Sequence, residues 1–410
     1  MRSSKRQFTI LKQISKFIPR NLVPKLATKH GVDKQSRSIT PWTHVLSLMY
    51  AQLSHAMSLN DVCDALKNHS GAFKDIRDAE PISKNGLSYA NRTRNSKMAE
   101  DLFWSVFSAL KQNNPSFGYS SRNQKSGIPH RFKRAISAVD SSTIKLFANS
   151  LDWAKHRRRK AAAKMHLRLD LQTFLPQFII VKAANSHDST EAKELCAGIR
   201  AGEIVVFDKA YVDFKHLYHL QNRQVFWVTR AKDNMDYEVM GQHTQPKGKV
   251  IRDVKIKLTG MGTKQHYPME LRLVEIKVKV KGKEKVMTFI TNNFEWSPNS
   301  IADLYKSRWG IEVFFKEIKQ TLQIADFLGY NENAVQWQIW TALLVYILLR
   351  YIAHIKQWDF SFPRLFTVVR SVLWTKIDLD KVLKSCGTAG APKKIRGAPE
   401  QAFLPGFAFS

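Results

Sequence analysis

The chain has few cysteines, few acids for its size, and no long unbroken apolar run. Its three cysteines, Cys63, Cys196 and Cys386, lie far apart among 410 residues. No Cys-x-x-Cys or Cys/His ligand spacing occurs, which argues against a zinc cage and against a disulfide framework. That usage suits a reducing cytosol. The longest apolar run, Ala342 to Leu349, is closed by Arg350 and is too short to span a bilayer. A buried helix, with no membrane partner, is the expectation there. The opening MRSSKRQFTILKQISKF lacks a continuous apolar stretch, which argues against a secretory signal.

Acid is the scarce charge: 34 Asp and Glu face 65 Lys and Arg, a net +31. Such a surplus repels itself in a compact state unless something neutralises it. Nucleic acid is the leading partner, because neutralising phosphates releases their counterions. Hydrophobic residues make up 44% of the chain, enough for packed cores, so wholesale disorder is excluded. The length suits roughly two to three domains of about 150 residues each.

Residues 1–128 read as a helical N-terminal domain. Phe8, Ile10, Leu11, Ile14, Phe17 and Ile18 recur at helical spacing, as do the apolar residues from Trp42 to Leu59. Pro19, Pro24, Pro41 and Pro81 punctuate the segments. The stretch Ile82 to Arg94 carries Lys84, Arg92 and Arg94. It reads either as a DNA-recognition helix after a turn or as a solvated basic helix. Residues 112–130, rich in Asn, Ser, Gly and Pro, read as a linker.

Residues 129–233 alternate short apolar runs with helical stretches, the pattern of an α/β core. Ala135 to Val139 runs into Asp140, and Ile204 to Phe207 runs into Asp208. Residues 234–296 read as a β-rich insertion. Between Lys249 and Asn292, Lys alternates with Val, Ile or Leu, and Lys281-Gly282-Lys283 marks a hairpin. One face of that insertion is basic, either against DNA or in solvent. Residues 297–375 open on Ser297-Pro298, an N-cap followed by proline at the first helical position. The spacing predicts one helix from there to about Ile324 and a second, buried one from about Asn333 to Lys356. Residues 376–410 are a Gly/Ala/Pro-rich tail.

The chemistry falls on three elements. Asp140 and Asp208 stand at strand ends, at the rim of a sheet where side chains converge. On an ideal helix, at about 100° per residue, Tyr305, Arg308, Glu312 and Lys319 share a stripe about 60° wide. An acid, two cations and a phenol on one face suit a metal-bound phosphate, and they equally suit a salt-bridged surface helix. Three carboxylates without thiol or imidazole are hard oxygen ligands, suited to Mg²⁺ or Mn²⁺. Two such ions about 3.5–4 Å apart can activate one oxygen of a phosphodiester exchange and stabilise the other.

The segments AVDSSTIKL, IVVFDKAYVDF and the Y-x2-R-x3-E-x6-K spacing within YKSRWGIEVFFKEIK resemble the IS4-family DDE transposases, over about residues 5 to 375. The resemblance implies an RNase H-like catalytic core preceded by a helical DNA-binding domain. It implies that Asp140, Asp208 and Glu312 bind two Mg²⁺ or Mn²⁺ ions, with the β insertion in the 104-residue gap between Asp208 and Glu312. Tyr305, Arg308 and Lys319 would hold phosphate, and Asp208-Lys209-Ala210-Tyr211 fits the family's second-Asp motif. Members stack a flipped base on an aromatic. Trp227 is the candidate here, beside Arg230 and Lys232 for phosphates, with Trp296 and Trp309 as competitors and the core as the other destination for Trp227. The run Lys155 to Lys160, which includes Arg157, Arg158, Arg159 and Lys160, reads as a phosphate footprint or a solvated loop. Asp170 and Asp188 read as structural. The implied function is cut-and-paste DNA transposition: hydrolysis at the element's ends, then strand transfer of the 3′-OH. The implied partners are double-stranded DNA at ends and target and a second copy of the chain, in a bacterial, nucleoid-associated, cytoplasmic setting. A non-catalytic DNA-binding relative and an RNase H-like nuclease are the alternatives.

Overall fold

A computed structural model describes residues 7–34, 39–119, 132–145, 162–183, 188–280, 283–322, 329 and 331–386. The chain forms two compact units. One holds the described residues of Met1–Ser120, Ile144–Ala163 and Phe315–Gly397, and the other those of Ser121–Thr143 and Lys164–Phe314.

The first unit is helical. Its helices begin where short polar side chains can take up orphan amides: Thr9, Thr40, Ser58 and Ser83 each accept a hydrogen bond from a backbone N–H three residues on. Pro41 occupies the first turn after Thr40, where its missing N–H costs nothing. Around these caps stand the helices Pro41–Ser54, Leu59–Asn68, Lys84–Thr93 and Lys97–Asn113. The 24-residue helix Glu332–Ile355 packs against Pro41–Ser54 and Lys97–Asn113. Its Trp340 ring lies 5.5 Å from Phe103 and 6.5 Å from Trp104. Length and a mean hydropathy of 1.4 would let this helix cross a membrane, but 78% of that window is buried inside the protein. It is the expected buried helix, apolar all round because neighbours cover it all round.

The second unit is a mixed α/β layer built on one nine-stranded sheet of order β3-β2-β1-β4-β5-β9-β8-β7-β6. The strands are β1 Ile136–Lys145, β2 Ala162–Asp170, β3 Leu175–Ala183, β4 Ile204–Phe207, β5 Phe226–Arg230, β6 Tyr237–Gln242, β7 Val250–Leu258, β8 Leu271–Val280 and β9 Lys283–Thr291. β1, β4 and β5 run parallel, and β9 pairs antiparallel with β5. β4 is buried at all four positions, as a central parallel strand must be.

The region expected as a β-rich insertion therefore extends the same sheet with four strands. β9 closes the open edge of β5, and β8, β7 and β6 follow as an antiparallel meander. The pairing of Val280 with Lys283 agrees with the predicted hairpin, although Lys281 and Gly282 lie outside the described residues. The expected basic face holds only in part. Register puts Lys277 and Lys285 on opposite faces, both exposed near the hairpin end, and Arg272, on the face of Lys285, is fully buried and paired with Asp253. The helix Pro298–Ser307 lies across this sheet, packing on β4, β5, β7 and β8, and takes that face out of solvent. The opposite face carries Val205, Phe207, Trp227, Leu273 and Ile290 in one core with Leu217 and Leu220 of helix Phe214–Asn222.

Candidate active site

Strand register brings the two aspartates together. The last β1–β4 pair is Val139 with Phe207, so Asp140 and Asp208 leave the ladder side by side, one residue later. Alternation puts both on the face of Ala138 and Val206. Asp140 does not end its strand, as the sequence suggested: β1 continues to Lys145, and it is β4 that stops. Asp208 caps the 3₁₀ turn Lys209–Tyr211, its Oδ1 accepting from the Ala210 amide at 3.2 Å. Asp140 Oδ1 accepts from the Ser141 amide at 2.8 Å.

The third acid comes from the helical arm. One helix from Ser297 to about Ile324 was expected. The structure has Pro298–Ser307, then Trp309–Lys316, then a π-helical turn Glu317–Thr321, with Arg308 at the first junction. Gly310 permits a close approach to the β2–β3 turn, since a Cβ there would meet Leu171 Cδ2 at 3.1 Å. Arg308 and Glu312 stand one helical turn apart and face the strand ends.

Arg308 is the hub. Its Nη1 donates to Asp140 Oδ2 at 2.8 Å and its Nη2 to Glu312 Oε1 at 2.7 Å, while Nη2 lies 3.7 Å from Asp208 Oδ2. The Tyr305 ring centre is 5.6 Å from the guanidinium carbon and packs on Phe289 at 5.1 Å. Burial pushes the Asp140 carboxyl up to about 6, with Asp208 and Glu312 adding to it and Arg308 and the Ser141 amide opposing. Burial likewise raises Glu312, against Arg308. Burial works against the charge on Arg308, but Tyr305, Asp140, Glu312 and Asp208 together outweigh it and raise its pKa.

The donor chemistry fits a hard divalent cation: three carboxylates drawn from two strands and a helix onto one positive centre. The place of that positive charge is taken by the guanidinium. Among the described residues no three His, Cys, Asp or Glu side chains stand close enough together to hold an ion by themselves.

The other expected site residues scatter. Lys319 falls in the π turn, where the even spacing that extended the stripe to it no longer applies. Trp227 is a correction. Its register with Val205 puts it on the sheet face opposite Asp208, where it is fully buried and meets Tyr267 edge-on at 6.1 Å, so its ring is closed to a base. Trp296 packs on Phe226 at 5.3 Å and Phe132 at 5.6 Å. Trp309 is half-buried. Arg230 is half-buried on the face of Val228 and Val206, and its buried Nε has no hydrogen-bond partner among the described residues. Lys232 Nζ donates to the Val212 carbonyl at 2.8 Å.

Lys84 and Arg92 are exposed on the helix Lys84–Thr93. Arg94 is a second correction: it donates to the Ile39 and Thr40 carbonyls, so its guanidinium is committed to the fold. Arg157, Arg158, Arg159 and Lys160 lie outside the described residues. Asp170 is structural, as expected, accepting from the Gln172 and Thr173 amides at 2.8 and 3.0 Å. What the sequence reading missed is that Arg308 pairs with all three acids. The signal was available in its i, i+4 spacing from Glu312.

Residues 131–348 match the transposase DDE domain, and residues 6–75 match a domain of unknown function (DUF4372). A protein assigned as a transposase, y4zB of Sinorhizobium fredii, is 30% identical over 271 residues, covering 65% of this chain and 74% of its own length. A transposase assigned to insertion sequence element IS5377 of Geobacillus stearothermophilus is 28% identical, over 68% of this chain and 72% of its own. Transposase InsG of element IS4 of Escherichia coli is 24% identical, over 46% of this chain and 43% of its own. The chain belongs to the IS4-family DDE transposases. It is a DNA transposase, a DNA-binding enzyme of a class that depends on divalent metal.

Proposed function

We propose that Asp140, Asp208 and Glu312 are the catalytic, metal-binding triad of cut-and-paste transposition, on an RNase H-like core formed by β3-β2-β1-β4-β5. The observation that carries this is the convergence of all three carboxylates, from positions up to 172 residues apart, on the single guanidinium of Arg308. The bound Mg²⁺ or Mn²⁺, two ions in this reading, supplies Lewis-acid polarisation of the phosphate and activation of the attacking oxygen. The residues of the chain do the rest. Asp140 and Asp208, fixed by adjacent parallel strands, set the positions of their carboxylates. Glu312 completes the set from the helix. Arg308 and Lys319 neutralise charge on the phosphate, Tyr305 donates a hydrogen bond to it, and Arg230 offers a further cation on the same sheet face.

Hydrolysis at an element end frees a 3′-OH, which then attacks either the opposite strand or target DNA. Lys232 and the Arg157–Lys160 run contribute backbone contacts, and Lys84 and Arg92 contact end DNA from the N-terminal helices. Two copies of the chain act together so that both ends are cut, in the bacterial cytoplasm close to the nucleoid. The domain boundaries of this reading stay at 1–128, 129–233, 234–296, 297–375 and 376–410. The experiment is strand cleavage on a duplex carrying the element's own end, in Mg²⁺. Glu312→Gln is expected to abolish nicking while a gel shift on the same duplex stays near wild type. Full nicking by that variant sinks the assignment.

A further inference from the structure

Asp140, Asp208 and Glu312 need a positive partner, because three carboxylates brought together and half removed from water repel one another. That partner is Arg308, whose side chain is 10% exposed and whose two terminal nitrogens reach all three acids. Its Nε is buried without a hydrogen-bond partner among the described residues. Both terminal nitrogens are thus taken up by the carboxylates, and Tyr305 is a further partner of the guanidinium. Tyr305 lies under it as an aromatic face.

We infer that Arg308 and a divalent cation are alternative counter-ions of the same three carboxylates, so that loading the cation releases the guanidinium to an incoming DNA phosphate. The inference rests on the reading of the triad as metal-binding. Its physical basis is exclusion. Arg308 holds one oxygen of Asp140 and one of Glu312 at 2.8 and 2.7 Å, so a hard cation bound by these carboxylates would compete with it for them. An arginine cannot resolve the conflict by losing its proton, so it has to move. Once freed from carboxylates, a guanidinium finds its best remaining partner in a phosphate, which offers the same two-oxygen geometry. Arg308 acts here as a positioning residue with two stations. Without the ion it is turned toward the acids and closed to DNA. With the ion in place it faces the substrate. The chain would then engage the phosphate at the reacting centre only when the site is loaded for chemistry.

The test is a calorimetric Mn²⁺ titration of the full chain without DNA, comparing wild type, Arg308→Gln, Arg308→Ala and Glu312→Gln, each first checked for its fold by circular dichroism. Both Arg308 variants are expected to bind Mn²⁺ at least tenfold more tightly than wild type, because the competing cation is gone. A merely structural role would leave affinity unchanged or lower it. Wild-type or weaker binding by Arg308→Gln, with Glu312→Gln still losing the ion, overturns the inference and leaves the triad standing. Undiminished binding by Glu312→Gln overturns the triad itself. Glutamine keeps most of the side-chain volume, so the comparison survives even if the alanine variant unfolds.

Discussion

Asp253 and Arg272 form an ion pair with no solvent exposure on either side chain, Arg272 donating through Nε at 2.7 Å and Nη2 at 2.9 Å. The pair joins β7 to β8, and Arg272 Nη1 also donates to the Trp296 carbonyl at 2.6 Å, just before the helix that leads to Arg308. Removing one member strands a buried charge. Arg272→Ala or Asp253→Ala is expected to cost about 3–5 kcal/mol in urea denaturation. Exchanging both for apolar residues of similar volume should cost far less. A single variant within about 0.5 kcal/mol of wild type, an ordinary surface effect, would show that the pair is hydrated in solution.

Glu317 makes the stability of the first unit depend on pH. Burial pushes its carboxyl up to about 7, against Arg350 and the hydroxyl of Tyr346, which donates to it at 3.3 Å. The folded chain therefore keeps this proton more readily than the unfolded one. Its contribution is complete below the ordinary glutamate value and is lost as pH rises through about 7. Glu317→Gln should abolish that loss. Between pH 5 and pH 8 the variant is expected to gain roughly 2–3 kcal/mol relative to wild type. A stability difference that does not change with pH would mean the carboxylate is ionised throughout.

Arg92 and Arg94 stand two residues apart and should behave in opposite ways. Arg92 is exposed, with its guanidinium 5.8 Å from the Tyr89 ring, whereas Arg94 holds backbone carbonyls. Arg92→Ala is expected to weaken duplex binding and to lower the salt slope by about 1, with little change in melting. Arg94→Ala should lower the melting temperature and leave the salt slope alone. Fluorescence anisotropy across a salt series, beside a thermal melt, separates the two. Equal salt slopes for both variants would remove this helix from the DNA interface.

Metal removal should divide binding from chemistry. With EDTA the chain is expected to shift duplex DNA in a gel, through its excess of basic residues, and to cut none of it. Adding back Mg²⁺ or Mn²⁺ should restore cleavage, and Ca²⁺ should support it poorly, since its larger, looser shell suits in-line transfer less well. Cleavage that persists in EDTA would end the metal reading.

The long, strongly patterned elements were legible in the sequence because their periodicity reports burial directly. The buried helix Glu332–Ile355 and the alternating strands β7, β8 and β9 are of this kind. Trp227 and Arg94 were not legible. An alternating strand has two faces, and only its neighbours decide which one meets the core. An arginine near a helix end is equally at home on a phosphate or on a carbonyl. The break at Arg308 was hidden for a related reason: nothing in YKSRWGIEVFFKEIK forbids a continuous helix, and only the folded backbone marks the junction there.

By itself the sequence determined the surplus of positive charge, the family, and the three acids together with their order along the chain, because each of these is a matter of residue identity and spacing. Only the tertiary structure decided that Asp140 and Asp208 stand side by side, that the meander closes the edge of β5, and that Arg308 rather than solvent neutralises the acids. Those outcomes depend on strand register and on which face each element buries. A linear pattern narrows such choices, and contacts between residues far apart in the chain settle them.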